Sequence, residues 1–229
     1  MTTSGAGPAR AAIWFARYPA PEGGAVLVGT VGPDFPDGTV VELPGPATRP
    51  AGWQLEAQLP VTGRPPSRVL VSPAAAPGAP HLWAVVLPAG EGDQVDLVAF
   101  SSTAFPDGAV VDRSRLDPTT TGWGDQVGAL RWTRRTGVIG QVYVHPAHRR
   151  RRVATKVAVM ALGVQTALGW PALHSDGRLT DLGDAWLQRS AGWWHERLTD
   201  RTEHLPAMTP PADTVGVPLR NLEPDVDRP

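Results

Sequence analysis

Four consecutive arginines, Arg149, Arg150, Arg151 and Arg152, separate the short run Val142, Tyr143, Val144 from a long apolar stretch that begins at Val153. A guanidinium group is permanently charged, and its planar fork of donors fits phosphate and carboxylate oxygens. With a strand before the turn and a helix after it, the four charges stand at a helix N-terminus, where unpaired backbone N–H groups already carry partial positive charge. Cations are unfavourable there unless an anion fills the site, and a pyrophosphate would satisfy amides and guanidinium groups together. A solvated basic turn with no ligand is the alternative. The acid–base candidates are His145, just past the apolar run, and the cluster His174, Ser175, Asp176. Imidazole and carboxylate can accept the proton of a reacting amine. The competing reading makes His145 a turn residue before Pro146, and His174 and Asp176 loop caps. Ser175 beside His174 argues against serine-hydrolase chemistry, because neighbours in an extended strand point to opposite faces. The chain has no cysteine, which removes thiolate catalysis and Cys-based zinc sites, and its 6 histidines are scattered, so no metal site is expected.

These side chains need elements to hold them. Apolar residues at Val153, Val157, Met160, Ala161, Val164 and Leu168 recur at spacings of three and four, which predicts a helix with one apolar face. Gly169 ends it, with Pro171 beyond. The segment PALHS, 171–175, is expected as a short parallel strand. Thr180 is the expected N-cap of a second helix running through Leu182, Ala185, Trp186 and Ser190 to Gly192. Together these form a βαβα unit. Trp186, Trp193 and Trp194 are expected in its core, the alternative being a wall for an acyl chain or aromatic substrate.

Upstream, the chain resembles itself. Trp14, Pro19, Ala20, Glu22 and Gly23 recur at an offset of 69 as Trp83, Pro88, Ala89, Glu91 and Gly92. At an offset of 70, FPDGTVV from Phe35 recurs as FPDGAVV from Phe105, and Gly52-Trp53 as Gly122-Trp123. Val69, Val71 and Pro73 answer Val142, Val144 and Pro146 at an offset of 73. Matches kept in order predict a diverged tandem repeat. Short Val-rich runs between Pro, Gly and Asp read as antiparallel strands, with turns at Asp37-Gly38 and Asp107-Gly108. The recurring tryptophans read as structural anchors of each unit. Only the second copy continues into a helical layer.

The segment from Val142 to Ala154 resembles the central motif of the GNAT N-acetyltransferase family, a strand, a proline and an R/Q-x-x-G-x-G/A turn opening a long helix. Arg149 takes the first place and Ala154 the last small residue, while Arg152 stands where the family has glycine. The resemblance covers roughly residues 126 to 195 and ends on the Gly192-Trp193 pair. It implies acetyl-CoA or another acyl-CoA as co-substrate, with the backbone of Val142, Tyr143 and Val144 pairing with its pantetheine arm. The amides from Arg149 through Arg150, Arg151, Arg152 and Val153 to Ala154 would hold the pyrophosphate. Arg152 would either obstruct that approach or add a guanidinium contact. The family's tyrosine acid is replaced by Gln188, which cannot donate that proton, so His145, His174 and Asp176 are the catalytic candidates.

The fold class expected is α+β, a mixed sheet with a GNAT-like βαβα unit in the C-terminal half, preceded by a β-rich tandem repeat. The expected divisions are residues 1–80, a β-rich unit with a Pro-rich connector; 81–204, the acyltransferase domain; and 205–229, an extended Pro-rich tail with one possible strand at TVGVPL. The expected function is acetyl transfer to an amine of a small molecule or protein. A GNAT-like binding module without catalysis is the first alternative. A phosphate- or nucleic-acid-binding protein is the second, disfavoured by the formal net charge of -1 and by the lack of aromatic residues interleaved with the arginines. No membrane partner is expected, because no apolar run approaches a membrane span and Met1 to Arg10 has no apolar segment. A cytoplasmic location follows from that reading.

Overall fold

The computed structural model describes residues 12–60, 64–89, 92–116, 125–190, 192–195 and 197–206. Within them the protein is α+β and mostly sheet. The first half forms β1 (Ala12–Pro19), β2 (Ala25–Gly32), β3 (Val40–Glu42), β4 (Trp53–Leu59) and β5 (Arg68–Val71), in the order β3-β1-β2-β4-β5. The second forms β6 (Trp83–Ala89), β7 (Gln94–Phe100), β8 (Val110–Val111), β9 (Gln126–Thr133) and β10 (Ile139–Val144), in the order β8-β6-β7-β9-β10. In each sheet the third strand runs parallel to the first, and the other pairs are antiparallel. Even the irregularities agree, with a register shift at Gly29/Thr30 in one sheet and at Ala99/Phe100 in the other. Trp14 lies 4.8 Å from Phe35, and Trp83 lies 4.8 Å from Phe105, each ring clamping the turn that leads into the short third strand. Trp123 falls outside the described residues, as does TVGVPL.

The sheets meet edge to edge where Val69 N–H donates to the Gly108 carbonyl at 2.7 Å and Val110 N–H to the Ser67 carbonyl at 3.0 Å. Helix α1 (Val153–Ala167) packs on β4 and β5 of the first sheet and on β9 and β10 of the second. The expectation of a single apolar face is therefore corrected. Thr155, Lys156 and Gln165, which lie outside the expected apolar set, are buried with the apolar residues. A helix enclosed on all sides has no polar stripe to maintain, and most of its residues are small or apolar. Close approach depends on glycine at two contacts. A methyl at Gly163 would come within 2.6 Å of Val69 Cγ1, and one at Gly128 within 3.0 Å of Val153 Cγ1.

Burying Lys156, the only lysine, demands compensation. Its ammonium donates to Asp107 Oδ1 at 2.7 Å and to the Pro80 carbonyl at 2.8 Å. Burial alone would raise the Asp107 pKa, but the bonds from Lys156 and from Leu82 N–H hold it below the usual carboxylate value. Asp37, at the same place in the first sheet, faces a second buried cation. Arg197 Nη2 lies 2.8 Å from Asp37 Oδ2, and Asp37 Oδ1 accepts the Ile13 N–H at 3.3 Å.

Beyond α1, Leu168 caps the helix and Gly169 turns left-handed with φ +67°. The strand expected at 171–175 is reduced to one parallel bridge, His174 with Val138. A chain of so few residues cannot sustain a second bridge because Ser175 N–H turns to the Arg197 carbonyl, at 3.1 Å. The expected second helix is also shorter. Helix α2 (Asp181–Leu187) starts at Thr180, whose hydroxyl accepts the Gly183 N–H at 3.1 Å. Instead of ending that helix, Gly192 opens a separate turn, α3 (Gly192–His195). Between these helices and the end of the described chain, β11 (Arg178–Leu179) pairs in parallel with β12 (Glu203–His204). No helix among the described residues is long and apolar enough to cross a membrane.

Candidate functional site

Strand β10 is the last strand of its sheet, paired on one side only with β9. The corresponding edge of β5 is occupied by the FPDG segment before β8, whereas among the described residues β10 has on that side only the bridge between Val138 and His174. Its own ladder with β9 is broken by a bulge between Ile139 and Gln141. His145 N–H donates inward to the Val127 carbonyl at 2.9 Å. Alternation along the strand then turns the N–H groups of Val142 and Val144 toward the unpaired edge. That edge is a row of backbone donors and acceptors ready for an extended ligand.

The edge leads into the arginines. A short 3-10 turn, Pro146–His148, is followed by Arg149, which directs its Nε back to the Val144 carbonyl at 3.3 Å. Arg150 and Arg152 are both left-handed, with φ +60° and φ +57°, while Arg151 between them is not. A side chain in that region costs roughly 1–2 kcal/mol, so glycine is the ordinary occupant. Arg152 is the N-cap of α1 and contributes no capping side-chain bond, which leaves the first amides of the helix without a side-chain acceptor. Alternating handedness of this kind gathers successive N–H groups around a concavity that suits an anion. Among the described residues, none of the four guanidinium groups forms an ion pair. Beside them, the His148 ring has a pKa below the ordinary imidazole value. Burial lowers its pKa first, and the charges of Arg151 and His145 lower it further.

The residues expected to hold a co-substrate, Val142, Tyr143 and Val144 with Arg149 through Ala154, thus follow one stretch of chain from the edge of β10 through the turn into α1, with Val153 buried. His145 belongs to it. Its Nδ1 accepts the Ala147 N–H at 3.3 Å, leaving Nε2 as the outward nitrogen. His174 is elsewhere, bonded through its backbone to Gly137 and Ile139 at the start of β10. Six residues of extended chain separate Ile139 from His145, a span of about 20 Å, so the two histidines do not act on one atom. Asp176 accepts the Arg178 N–H at 3.0 Å in its own turn, and Ser175 Oγ accepts the Thr199 N–H at 3.0 Å. Gln188 is an exposed residue at the end of α2. Trp193 and Trp194 are stacked and buried; Trp186 donates its indole N–H to Thr155 Oγ1 at 3.3 Å, fixing α2 against the start of α1.

Sequence reasoning missed a groove of about 590 Å³ on the sheet face turned away from α1. Leu87, Val98 and Ala129 form its floor, and Gln126, Gln141, Tyr143 and His145 stand around it. Across it Arg131 grips Asp96 with two bonds, Nε to Oδ1 at 2.7 Å and Nη2 to Oδ2 at 2.8 Å. The available signal was the spacing of two between Asp96 and Val98, Ala129 and Arg131, and Gln141 and Tyr143, which puts each pair on one sheet face. No group of three or more His, Asp or Glu among the described residues could hold a metal ion. No family model, curated protein or solved structure matches the chain.

Proposed function

We propose that the protein is an acyl-CoA-dependent N-acyltransferase of the GNAT type. The observation that carries this reading is the turn from Arg149 to Arg152. Two residues in glycine-like backbone conformations and four guanidinium groups with no ion pair among the described residues stand at the start of a buried helix whose N-cap side chain makes no capping bond. A pyrophosphate supplies the missing negative charge. The pantetheine arm would then lie along the free edge of β10, as an added strand does, with the Val142 and Val144 amides as its donors. One of these amides, aimed at the thioester oxygen, would stabilise the oxyanion of the tetrahedral intermediate. In the transfer, the amine lone pair forms the new C–N bond, the C–S electron pair returns to sulfur, and the proton lost by nitrogen is taken up by the thiolate. His145 is the candidate base nearest that edge. An acyl-CoA co-substrate is consistent with a cytoplasmic location. We further infer that the two sheets descend from a tandem duplication, their shared order, pairing and bulge supporting that history.

Thermal unfolding with acetyl-CoA and longer acyl-CoAs tests the reading. Ligand at a hundredfold over Kd stabilises by about 2.7 kcal/mol, and a chain of this size gains about 2–4 °C per kcal/mol. A rise of roughly 5–10 °C is expected by combining the two; no rise at millimolar acyl-CoA would overturn the proposal. A second reading, a CoA-binding module without catalysis, is favoured by the exposed amide of Gln188 and by the loop-bound Asp176. It predicts the same thermal shift with no thiol release when amines are added.

A further inference from the structure

The groove beside β10 lies on a sheet face whose residues differ from their counterparts in the first sheet, although strand order and register match. Val28 pairs with Glu56 where Val98 pairs with Ala129, and Val26 pairs with Gln58 where Asp96 pairs with Arg131. By the same correspondence Leu70, opposite Glu56 on the next strand, stands where Tyr143 lies opposite Ala129. In the first sheet this face is closed by its own chain. Arg49 bonds Glu56 at 2.7 Å and lies 4.8 Å over the Trp53 ring, while the Tyr18 hydroxyl is 3.3 Å from Thr48 Oγ1. In the second, a methyl group at Ala129 replaces the long carboxylate side chain and leaves a depression between Val98 and Tyr143. Two copies of one scaffold thus differ on this face in shape and polarity together, and the open face belongs to the copy that carries the arginine turn.

We propose that this groove is the acceptor pocket and that its ligand is an amine with a carboxylate several bonds away, such as a short peptide or an ω-amino acid. The inference rests on the acyl-transfer reading above. Both oxygens of Asp96 are already held by Arg131, so the groove offers no free carboxylate to a polycation. Arg131 spends Nε and Nη2 on that pair and keeps Nη1 without a partner among the described residues. Its side chain is 41% exposed, so the unused edge of the fork faces outward. A carboxylate is the ligand group that such a fork binds best. The pairing of Arg131 with Gln141 sets this anchor beside the bulge of β10, and the free edge of the same strand lies about one strand spacing, roughly 5 Å, beyond. A ligand on that edge lies a second spacing out, roughly 10 Å from the backbone of Arg131, so the amine must stand about five or more bonds from the anchored carboxylate to meet a thioester there. The Tyr143 hydroxyl and the Gln126 and Gln141 amides, none with a hydrogen-bond partner among the described residues, are left to orient the rest of the molecule.

The test is an acceptor panel with acetyl-CoA, read as free thiol released: ω-amino acids and dipeptides, their carboxamides and methyl esters, and spermidine. Carboxylate-bearing acceptors should exceed their carboxamides in kcat/KM by roughly tenfold or more, the loss expected for one charge-assisted contact. Arg131→Gln should abolish that preference. Ala129→Glu, which restores the first-sheet residue, should stop acceptor turnover while the thermal shift with acetyl-CoA persists, showing that the variant is folded. Equal turnover of esters and spermidine, or an unchanged preference in Arg131→Gln, would overturn the acceptor assignment while leaving CoA binding intact. Absence of any thermal shift with acetyl-CoA in the unaltered protein would overturn both.

Discussion

Replacing Arg152 by glycine separates two properties that one residue combines. Its backbone sits at φ +57°, a region that costs a side-chain-bearing residue roughly 1–2 kcal/mol relative to glycine. Glycine regains that strain but gives back about 0.5–1 kcal/mol through the greater freedom of its unfolded chain. The ligand-free Arg152→Gly protein should therefore be more stable by about 0.5–1 kcal/mol, or roughly 1–4 °C in Tm. Removing a positive charge from four successive guanidinium groups with no ion pair among the described residues acts in the same direction. Binding should move the other way. The backbone already adopts the glycine-like turn, so the arginine does not prevent the amides from gathering, and its guanidinium remains available to a phosphate. Loss of that charge-assisted contact should weaken acetyl-CoA by roughly 10- to 100-fold. Arg152→Asn is the control, since asparagine tolerates the left-handed region but carries no charge. It should share the loss of affinity and show less of the gain in stability. The assay is thermal unfolding in phosphate-free buffer followed by calorimetric titration with acetyl-CoA. Tighter binding by Arg152→Gly would refute the contact and make the arginine an obstruction; a lower Tm without ligand would refute the strain argument.

Lys156→Met should lower the unfolding free energy by about 3–5 kcal/mol, because it leaves the Asp107 carboxylate partly buried without its cation. The double variant with Asp107→Asn should recover part of that loss in urea titrations, and a single-variant cost under about 1 kcal/mol would contradict the burial argument. Stability should also fall in acid in two separable steps. His148 has a depressed folded pKa, so the unfolded chain takes up its proton first, and stability declines as pH drops below about 6.5 and levels off once the folded ring is protonated. Asp107 is likewise held low, so its contribution is complete above the unfolded value of about 3.9 and is lost as pH falls through the lower folded one. Urea midpoints measured from pH 7 to pH 3 should show both steps, and His148→Asn should remove only the upper one. A single transition unaffected by that substitution would contradict the assignment.

The arginine turn was legible because its information is local. Strand, proline, charge cluster and helix follow one another within a few residues, and each element reports its type through spacing. The strand pattern of both halves was legible for a different reason, since two diverged stretches with matching turns constrain one another. What could not be read was how much of α1 is enclosed. Periodicity identifies the most apolar face of a helix, but only the presence of a sheet on each side reveals that Thr155, Lys156 and Gln165 face protein as well. Nor does local sequence tell His145 from His174. Both end short extended runs, yet one adjoins the arginine turn and the other is bonded to the opposite end of β10.

The repeated FPDG motif shows why such long-range roles escape a local reading. Asp37-Gly38 and Asp107-Gly108 do form turns, with φ +75° and φ +76° at the glycines. Each aspartate also accepts the N–H at the start of its sheet's first strand, Ile13 or Leu82, and that accounts for the motif within each copy. The cations that neutralise the two carboxylates come from outside the repeat, Lys156 from α1 and Arg197 from the segment after α3. The Arg197 carbonyl in turn receives Ser175 N–H, next to the residue that bridges to the start of β10. The first sheet, which carries no arginine turn, is thereby tied through Asp37 to the segment that diverges from β10 where its free edge begins.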